Sequence, residues 1–323
     1  MELPSVCGSP VRLAVLGAGG WARQYHLPAL AALRSTGAVE IAGLWNRTTG
    51  TAAEAARQFG VQRVYRSLDE LVDDDRLDGY VVVVDSGAVF DVVSALLARP
   101  LPMLVEKPPG RSYREALALA DRVHVPNVVG FNRRYMPLNR RFRELAGTLT
   151  GAHYAGCRFH RHGRGAGRFI GETGIHGINF IEFVGGPIGA VRCLPQRAET
   201  GTCVAWLEFE TGMAGLVEFL PRSGASVERY EVHGQESSLY LESPTPYSSD
   251  VPGRIVVHHR GRPAAVIAGV DDPDGSLLCA GLIDEYRDFL AAIADPAHAT
   301  ASNFRNACNT MRIAEAIEAA GQA

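Results

Sequence analysis

The sequence predicts two domains: a doubly wound α/β domain on a parallel sheet, then an α+β domain on a predominantly antiparallel sheet. Three observations carry this. Strand and helix patterns alternate over the first 132 residues. A Gly17-x-Gly19-x-x-Ala22 turn joins the first strand to the first helix. From about residue 151 strand-length segments follow one another with few helices between them. Parallel neighbours need a long crossover, usually a helix, whereas consecutive strands pair antiparallel. The 323 residues suffice for two cores, expected at 1–132 and 133–323.

In the first domain, residues 11–16 are a short apolar run ending at the glycine turn, and a helical pattern follows to about residue 33. Residues 39–45 read as the second strand and the Ala-rich 49–59 as a helix stopped by Gly60. Ser67-Leu68-Asp69-Glu70 and Ser112-Tyr113-Arg114-Glu115 are capping boxes, each opening a helix. Residues 79–84 are apolar and β-branched, as in a strand buried on both faces. Residues 88–98 read as helix, and 103–105 and 127–131 as strands. In the second domain, strands are expected at 152–159, 191–194, 204–210, 214–220, 227–232, 238–241 and 255–258, with a hairpin turn at Thr211-Gly212. From about residue 151 helices are expected only at 172–184, 282–292 and 303–320, and residues 244–253 read as a loop or edge excursion. Helices cover one face of this sheet, and a second copy of the chain is a plausible cover for the other; a homodimer or homotetramer is expected.

The glycine turn is the first segment with chemistry. Gly17 permits the tight turn, Gly19 lets backbone approach a pyrophosphate, and Ala22 lets helix and strand pack closely; Gly20 and Trp21 complete the loop. Free N–H groups at the helix start suit the phosphates. The second strand ends in Asn46-Arg47-Thr48 with no carboxylate. An acidic residue there would bind the ribose hydroxyl of NAD, while Arg47 suits a 2′-phosphate, so NADP is favoured over NAD.

Hydrophobic and charged contents of 46% and 21% are those of an ordinary globular protein. The net charge of −3 gives no field favouring nucleic acid or an anionic membrane. No apolar run has the length of a membrane span and no signal-peptide pattern opens the chain, so a cytoplasmic location is expected. The scattered cysteines, Cys7 among them, read as free thiols. His160-x-His162 and His258-His259 lack a third ligand, so no metal site is expected.

The glycine loop with His26-Leu27-Pro28-Ala29-Leu30, Glu106-Lys107-Pro108, residues 129–135, Gly174-Ile175-His176 and the terminal Met311-Arg312-Ile313-Ala314-Glu315-Ala316, in this order and spacing, resemble the glucose–fructose oxidoreductase/inositol dehydrogenase/rhizopine-catabolism (Gfo/Idh/MocA) family. The resemblance implies a Rossmann domain followed by an open-faced sheet domain, and NAD(P)-dependent oxidation or reduction of sugars, cyclitols and related polyols. It implies that Lys107 stands near the nicotinamide and the reacting oxygen, with Glu106 and Pro108 part of the same cofactor-facing turn. Pro108 stops the strand and biases Lys107 to an extended conformation. His176 takes the place of the family's proton donor or acceptor, and Glu172, four residues before it, that of the family's Asp. Asn179 stands where the family often has Asp. Asp85-Ser86-Gly87 and Phe90 replace a Thr-Pro and a downstream His, and Asp85 and Ser86 pass the nicotinamide ribose. The substrate is expected to meet Lys107, Arg133, Arg134, Glu172, His176 and Asn179. Arg158, Arg161, Arg164 and Arg168 form a group that could grip an anionic substrate, or else a solvated face. Two other readings remain open: a non-catalytic dinucleotide-binding regulator on the same fold, and a reductase of an imine or other unsaturated acceptor.

Overall fold

The computed structural model describes residues 9–165, 167–194, 199–245, 248–270 and 277–320. Cys7, residue 166 of the arginine-rich segment and residues 246–247 of the Pro–Gly loop lie outside them. The chain divides into two compact units, one of 1–130 with 282–308 and one of 131–281 with 309–323.

The first unit carries a five-stranded parallel sheet of β1 (Val11–Leu16), β2 (Val39–Trp45), β3 (Gly79–Val82), β4 (Met103–Val105) and β5 (Asn127–Val129), in the order β2-β1-β3-β4-β5. An isolated parallel bridge between Leu44 and Val64 adds a vestigial strand outside β2. Counting it, the order becomes that of the six-stranded dinucleotide-binding sheet, with the switch point between β1 and β3. The crossovers are α1 (Leu27–Ser35), α2 (Thr49–Phe59), α3 (Leu68–Val72), α4 (Ser86–Leu96) and α5 (Tyr113–Arg122). Gly60 ends α2 in the left-handed region, and the hydroxyls of Ser67 and Ser112 accept from the backbone N–H of Glu70 and Glu115, as the capping boxes predict.

A domain boundary at 132/133 would make the two pieces consecutive, but the units are interleaved. Helix α8 (Leu282–Ala294) buries Leu282, Tyr286, Phe289 and Ala292 within the first unit. The segment after it is tied to β5: Ser302 Oγ donates to the Val129 carbonyl at 2.7 Å and Thr300 Oγ1 to that of Asn127 at 2.8 Å. Helix α9 (Phe304–Ala320) begins in this unit and ends in the other.

The second unit is built on an eight-stranded sheet: β6 (Tyr154–His160), β7 (Ile188–Cys193), β8 (Cys203–Phe209), β9 (Ala214–Leu220), β10 (Val227–His233), β11 (Ser237–Glu242), β12 (Arg254–His259) and β13 (Arg262–Ala268). The order is β13-β12-β11-β10-β6-β9-β8-β7, antiparallel except for the parallel pair β6–β9. Helices α6 (Pro137–Ala146) and α7 (Ile175–Gly185) and the end of α9 complete it. Buried and half-exposed residues alternate along β9, so one sheet face is core. Helix α7 lies directly on that face: a Cβ at Gly177 would stand 2.9 Å from the Phe159 ring and 3.0 Å from Cys157 Sγ.

Two elements depart from expectation. Helix α6 occupies a stretch to which the sequence patterns assign no element; its Leu138, Phe142 and Ala146 recur every four residues and are buried. Strand β13 is an edge strand carrying Pro263 and almost wholly exposed, so it lacks the apolar alternation that betrays a strand.

Candidate active site

In the first unit the strand tips at the switch point carry the expected cofactor residues. Gly17 has φ +104°, and a Cβ there would meet the Val83 carbonyl oxygen at 2.0 Å, so only glycine fits. A Cβ at Gly19 or Gly20 would meet nothing within 4 Å; these two face open space, as backbone presented to a ligand must. Asn46 Oδ1 accepts from Ala18 N–H at 3.2 Å, bracing the loop against the tip of β2. Arg23 spans the same gap, donating to the carbonyls of Ala18 and Thr51 and to Glu54. Arg47 is exposed. Thr48 caps α2 by position but makes no side-chain capping bond, leaving the first turn of that helix open to an acceptor. Asp85 caps α4, accepting from Gly87 N–H at 2.8 Å, and Ser86 is the first helical residue.

The tip of β4 is held by a closed set of bonds around Glu106. Its Oε1 accepts from Trp21 Nε1–H at 2.9 Å and lies 2.9 Å from His26 Nε2. Its Oε2 accepts from the backbone N–H of Lys107 at 3.0 Å. His26 Nδ1 lies 2.8 Å from the Tyr286 hydroxyl, on α8. Glu106 is only 6% exposed and His26 fully buried. Burial pushes the Glu106 carboxyl up, but the bond from His26, the charge of Lys107 and the indole N–H more than offset it, so the carboxyl sits below its usual range. Trp21 and Glu106, expected to face the cofactor, thus hold each other. The Lys107–Pro108 peptide is cis.

Lys107 carries a signal beyond its motif. It is the only lysine in the chain; every other one of the 32 basic Lys and Arg residues is arginine. A position that keeps the ammonium in so arginine-rich a sequence needs a compact point charge or a titratable amine, which a guanidinium does not supply.

In the second unit His176 is 4% exposed at the start of α7, with Phe131 edge-on to its ring at 6.1 Å. Arg133 Nη1 stands 3.4 Å from His176 Nε2 and 2.8 Å from Asn132 Oδ1. Arg133 and Arg161 grip Glu228 from two sides, all three buried. Burial raises the Glu228 carboxyl, but the two guanidinium groups dominate and bring it down to about 2. Glu228 orients Arg133 against the histidine; nothing in the local sequence announces it.

The other expected substrate residues are placed differently. Arg134 Nε donates to Asn179 Oδ1 at 2.6 Å, Asn179 Nδ2 donates to Thr310 Oγ1 at 3.0 Å, and both residues are buried. They tie the segment before α6 to α7 and α9. Residues 170–174 form a π-helical turn rather than α-helix. That turn advances the stacking period from four residues toward five, and the half-exposed Glu172 side chain pairs with Arg168 at 3.8 Å. The arginine group does not converge: Arg161 points into the core, while Arg158 stands on the opposite sheet face 3.7 Å from Glu218. An apolar cavity of about 250 Å³ lined by Leu138, Pro244, Ile267, Val270 and Leu278 contains none of the expected residues.

A parallel sheet whose switch point presents an open glycine loop defines a dinucleotide-binding architecture. A family model described as "Oxidoreductase family, NAD-binding Rossmann fold" matches residues 11–131. Over that stretch the chain is similar to the Gfo/Idh/MocA oxidoreductases. It is 34% identical over 122 residues to an uncharacterized oxidoreductase of Schizosaccharomyces pombe, covering 38% of this chain and 32% of that one. It is 25% identical over 254 residues to scyllo-inositol 2-dehydrogenase (NAD(+)) of Bacillus subtilis, covering 72% and 73%. A solved levoglucosan dehydrogenase in complex with NADH and levoglucosan has a TM-score of 0.82 over 97% of each chain, at 17% identity, which shows a shared fold. Among the described residues no helix is long and apolar enough to cross a membrane.

Proposed function

We propose that the protein is an oxidoreductase that moves a hydride between a nicotinamide and a sugar-like or cyclitol alcohol or ketone, with NADP preferred over NAD. The observation that carries this is the chain's single lysine, set at the carboxyl end of a central parallel strand, where ligands of such sheets bind. The cofactor, when bound, supplies the hydride chemistry. The open backbone of Gly19 and Gly20 takes the pyrophosphate, and Arg47 with the uncapped start of α2 takes the 2′-phosphate. Lys107 stabilises the developing alkoxide oxygen and His176 exchanges the hydroxyl proton. Glu172 positions the substrate or His176. Arg133, held by Glu228, stands 3.4 Å from His176 Nε2 and positions the ring. The open face of the eight-stranded sheet pairs with a second copy.

The test is a panel of sugars, nucleotide-sugars and cyclitols offered with NADP⁺ and NAD⁺, read by formation of reduced nicotinamide. Turnover on a polyol supports the reading. Cofactor binding with no turnover on any member of the panel contradicts it and favours the non-catalytic regulator.

A further inference from the structure

Beyond the packing of Tyr286, residues Tyr286, His26 and Glu106 form a buried polar chain. A fully buried imidazole and a nearly buried carboxylate are costly unless their bonds are complete. Here they are complete, and they join segments far apart in sequence: His26 from the turn before α1, Glu106 from the tip of β4, Tyr286 from α8. We propose that His26, steered by Tyr286, is a positioning residue that holds the Glu106 carboxylate beside Lys107 as an anion, and that this charge keeps the Lys107 side chain an ammonium ion. The inference rests on the reading above that Lys107 stabilises the substrate oxygen, and extends it by naming what keeps that lysine charged.

The bonding pattern has one consistent proton assignment with a neutral imidazole. The carboxylate can only accept, so His26 Nε2 carries the proton that it donates to Oε1. Nδ1 must then accept, and Tyr286 must donate. Burial, with Glu285 and Glu106 nearby, pushes the Tyr286 phenol well above its usual range, so the O–H proton is retained. Every donor to Glu106 is then neutral: the indole N–H, the imidazole N–H and the Lys107 backbone N–H. Such donors stabilise the carboxylate without cancelling its charge, which is left for the ammonium of Lys107. A doubly protonated His26 would cancel it. The titratable groups facing this cluster are His26 from the turn before α1, Lys107 from the strand tip, and Tyr286 and Glu285 from α8. Gly130, at the tip of β5, closes the remaining side: a Cβ there would stand 3.0 Å from the carboxylate.

The sole lysine makes the test direct. After reductive methylation with carbon-13 formaldehyde, its ε-amine gives one side-chain resonance, separable from any terminal amine by the lower titration of the latter. The resonance is followed against pH in the whole protein and in Glu106→Gln, His26→Leu, His26→Gln and Tyr286→Phe. Loss of a neighbouring opposite charge lowers an amine midpoint by about 1–3 units, and that is expected for Glu106→Gln. His26→Leu should lower it by about one unit, and Tyr286→Phe by less. His26→Gln, whose amide N–H reaches where Nε2–H did, should restore most of the loss. An unchanged midpoint in folded Glu106→Gln, or in both His26→Leu and Tyr286→Phe, overturns the proposal. Should His26→Leu not fold, Tyr286→Phe and Glu106→Gln decide alone. No substrate is needed, so a failed search for turnover leaves this result standing, and the shift can fail while turnover is found.

Discussion

At the scale of single residues, the two units handle charge in opposite ways. Around Glu106 the contacts are an indole N–H, an imidazole and a backbone N–H; around Glu228 two guanidinium groups pair with the carboxylate. Removing one partner of a buried pair strands the other, at a cost of about 3–5 kcal/mol. Glu228→Gln should therefore destabilise the second unit by that amount in urea unfolding, and a loss below about 1 kcal/mol would contradict the burial argument. The pH dependence has a definite sign. Because the folded carboxyl is depressed to about 2, its stabilisation is present above the unfolded carboxylate value of about 4.3 and is lost as pH falls through about 2. The variant should lack that acid-side slope. At the other end of the cofactor region, Arg47 is exposed at an uncapped helix start. Fluorescence titration should show NADPH binding more tightly than NADH, and Arg47→Ala should abolish the difference; tighter NADH binding in the unaltered protein would reject the 2′-phosphate role. The glycine loop, Lys107 and His176 are legible in the sequence because each sits in a local pattern. His26 with Tyr286, and Arg133 with Glu228, are not: their meaning lies in contacts between residues 260 and 95 positions apart.

At the scale of elements, patterns that repeat with the period of the structure were readable, and those that break it were not. The short buried strands β3 and β4 and the two capped helices α3 and α5 follow from local rules. The π turn before α7 does not, since Glu172 and His176 have the spacing of an ordinary helix. Neither does β13, whose exposed residues have no core to alternate against. Helix α7 seats on the sheet through Gly177, where a branched side chain would push on Phe159 and Cys157. Gly177→Val should destabilise by about 1–3 kcal/mol, and because α7 carries His176 it should depress turnover more than cofactor binding. Wild-type stability in that variant would show that the seat is looser than the contacts imply.

At the scale of the whole molecule, the chain returns to its first unit after completing most of the second, and no local pattern marks that return. The first strand-to-helix alternation was enough to recognise a parallel sheet; the origin of α8 in that same unit depends on which core its Tyr286 and Phe289 enter. The open face of the eight-stranded sheet carries Trp206 at 41% exposure, and Val266 on edge strand β13 is 64% exposed. Apolar side chains on an uncovered sheet suit a self-complementary interface. Light scattering at micromolar concentration should give a dimer or tetramer that Trp206→Arg weakens, and a monomer would contradict pairing through this face. The central claim is that a single ammonium and a single imidazole handle the substrate oxygen and its proton. It is tested most directly by turnover of Lys107→Arg and His176→Ala on the first polyol the unaltered protein oxidises, with cofactor affinity measured alongside. Arginine retains the positive charge but not the compact amine, so both variants should lose about 10²–10⁴-fold in kcat with cofactor affinity nearly unchanged. Near-normal turnover in either would contradict the claim, and a parallel loss of cofactor binding in Lys107→Arg would make Lys107 a cofactor anchor instead.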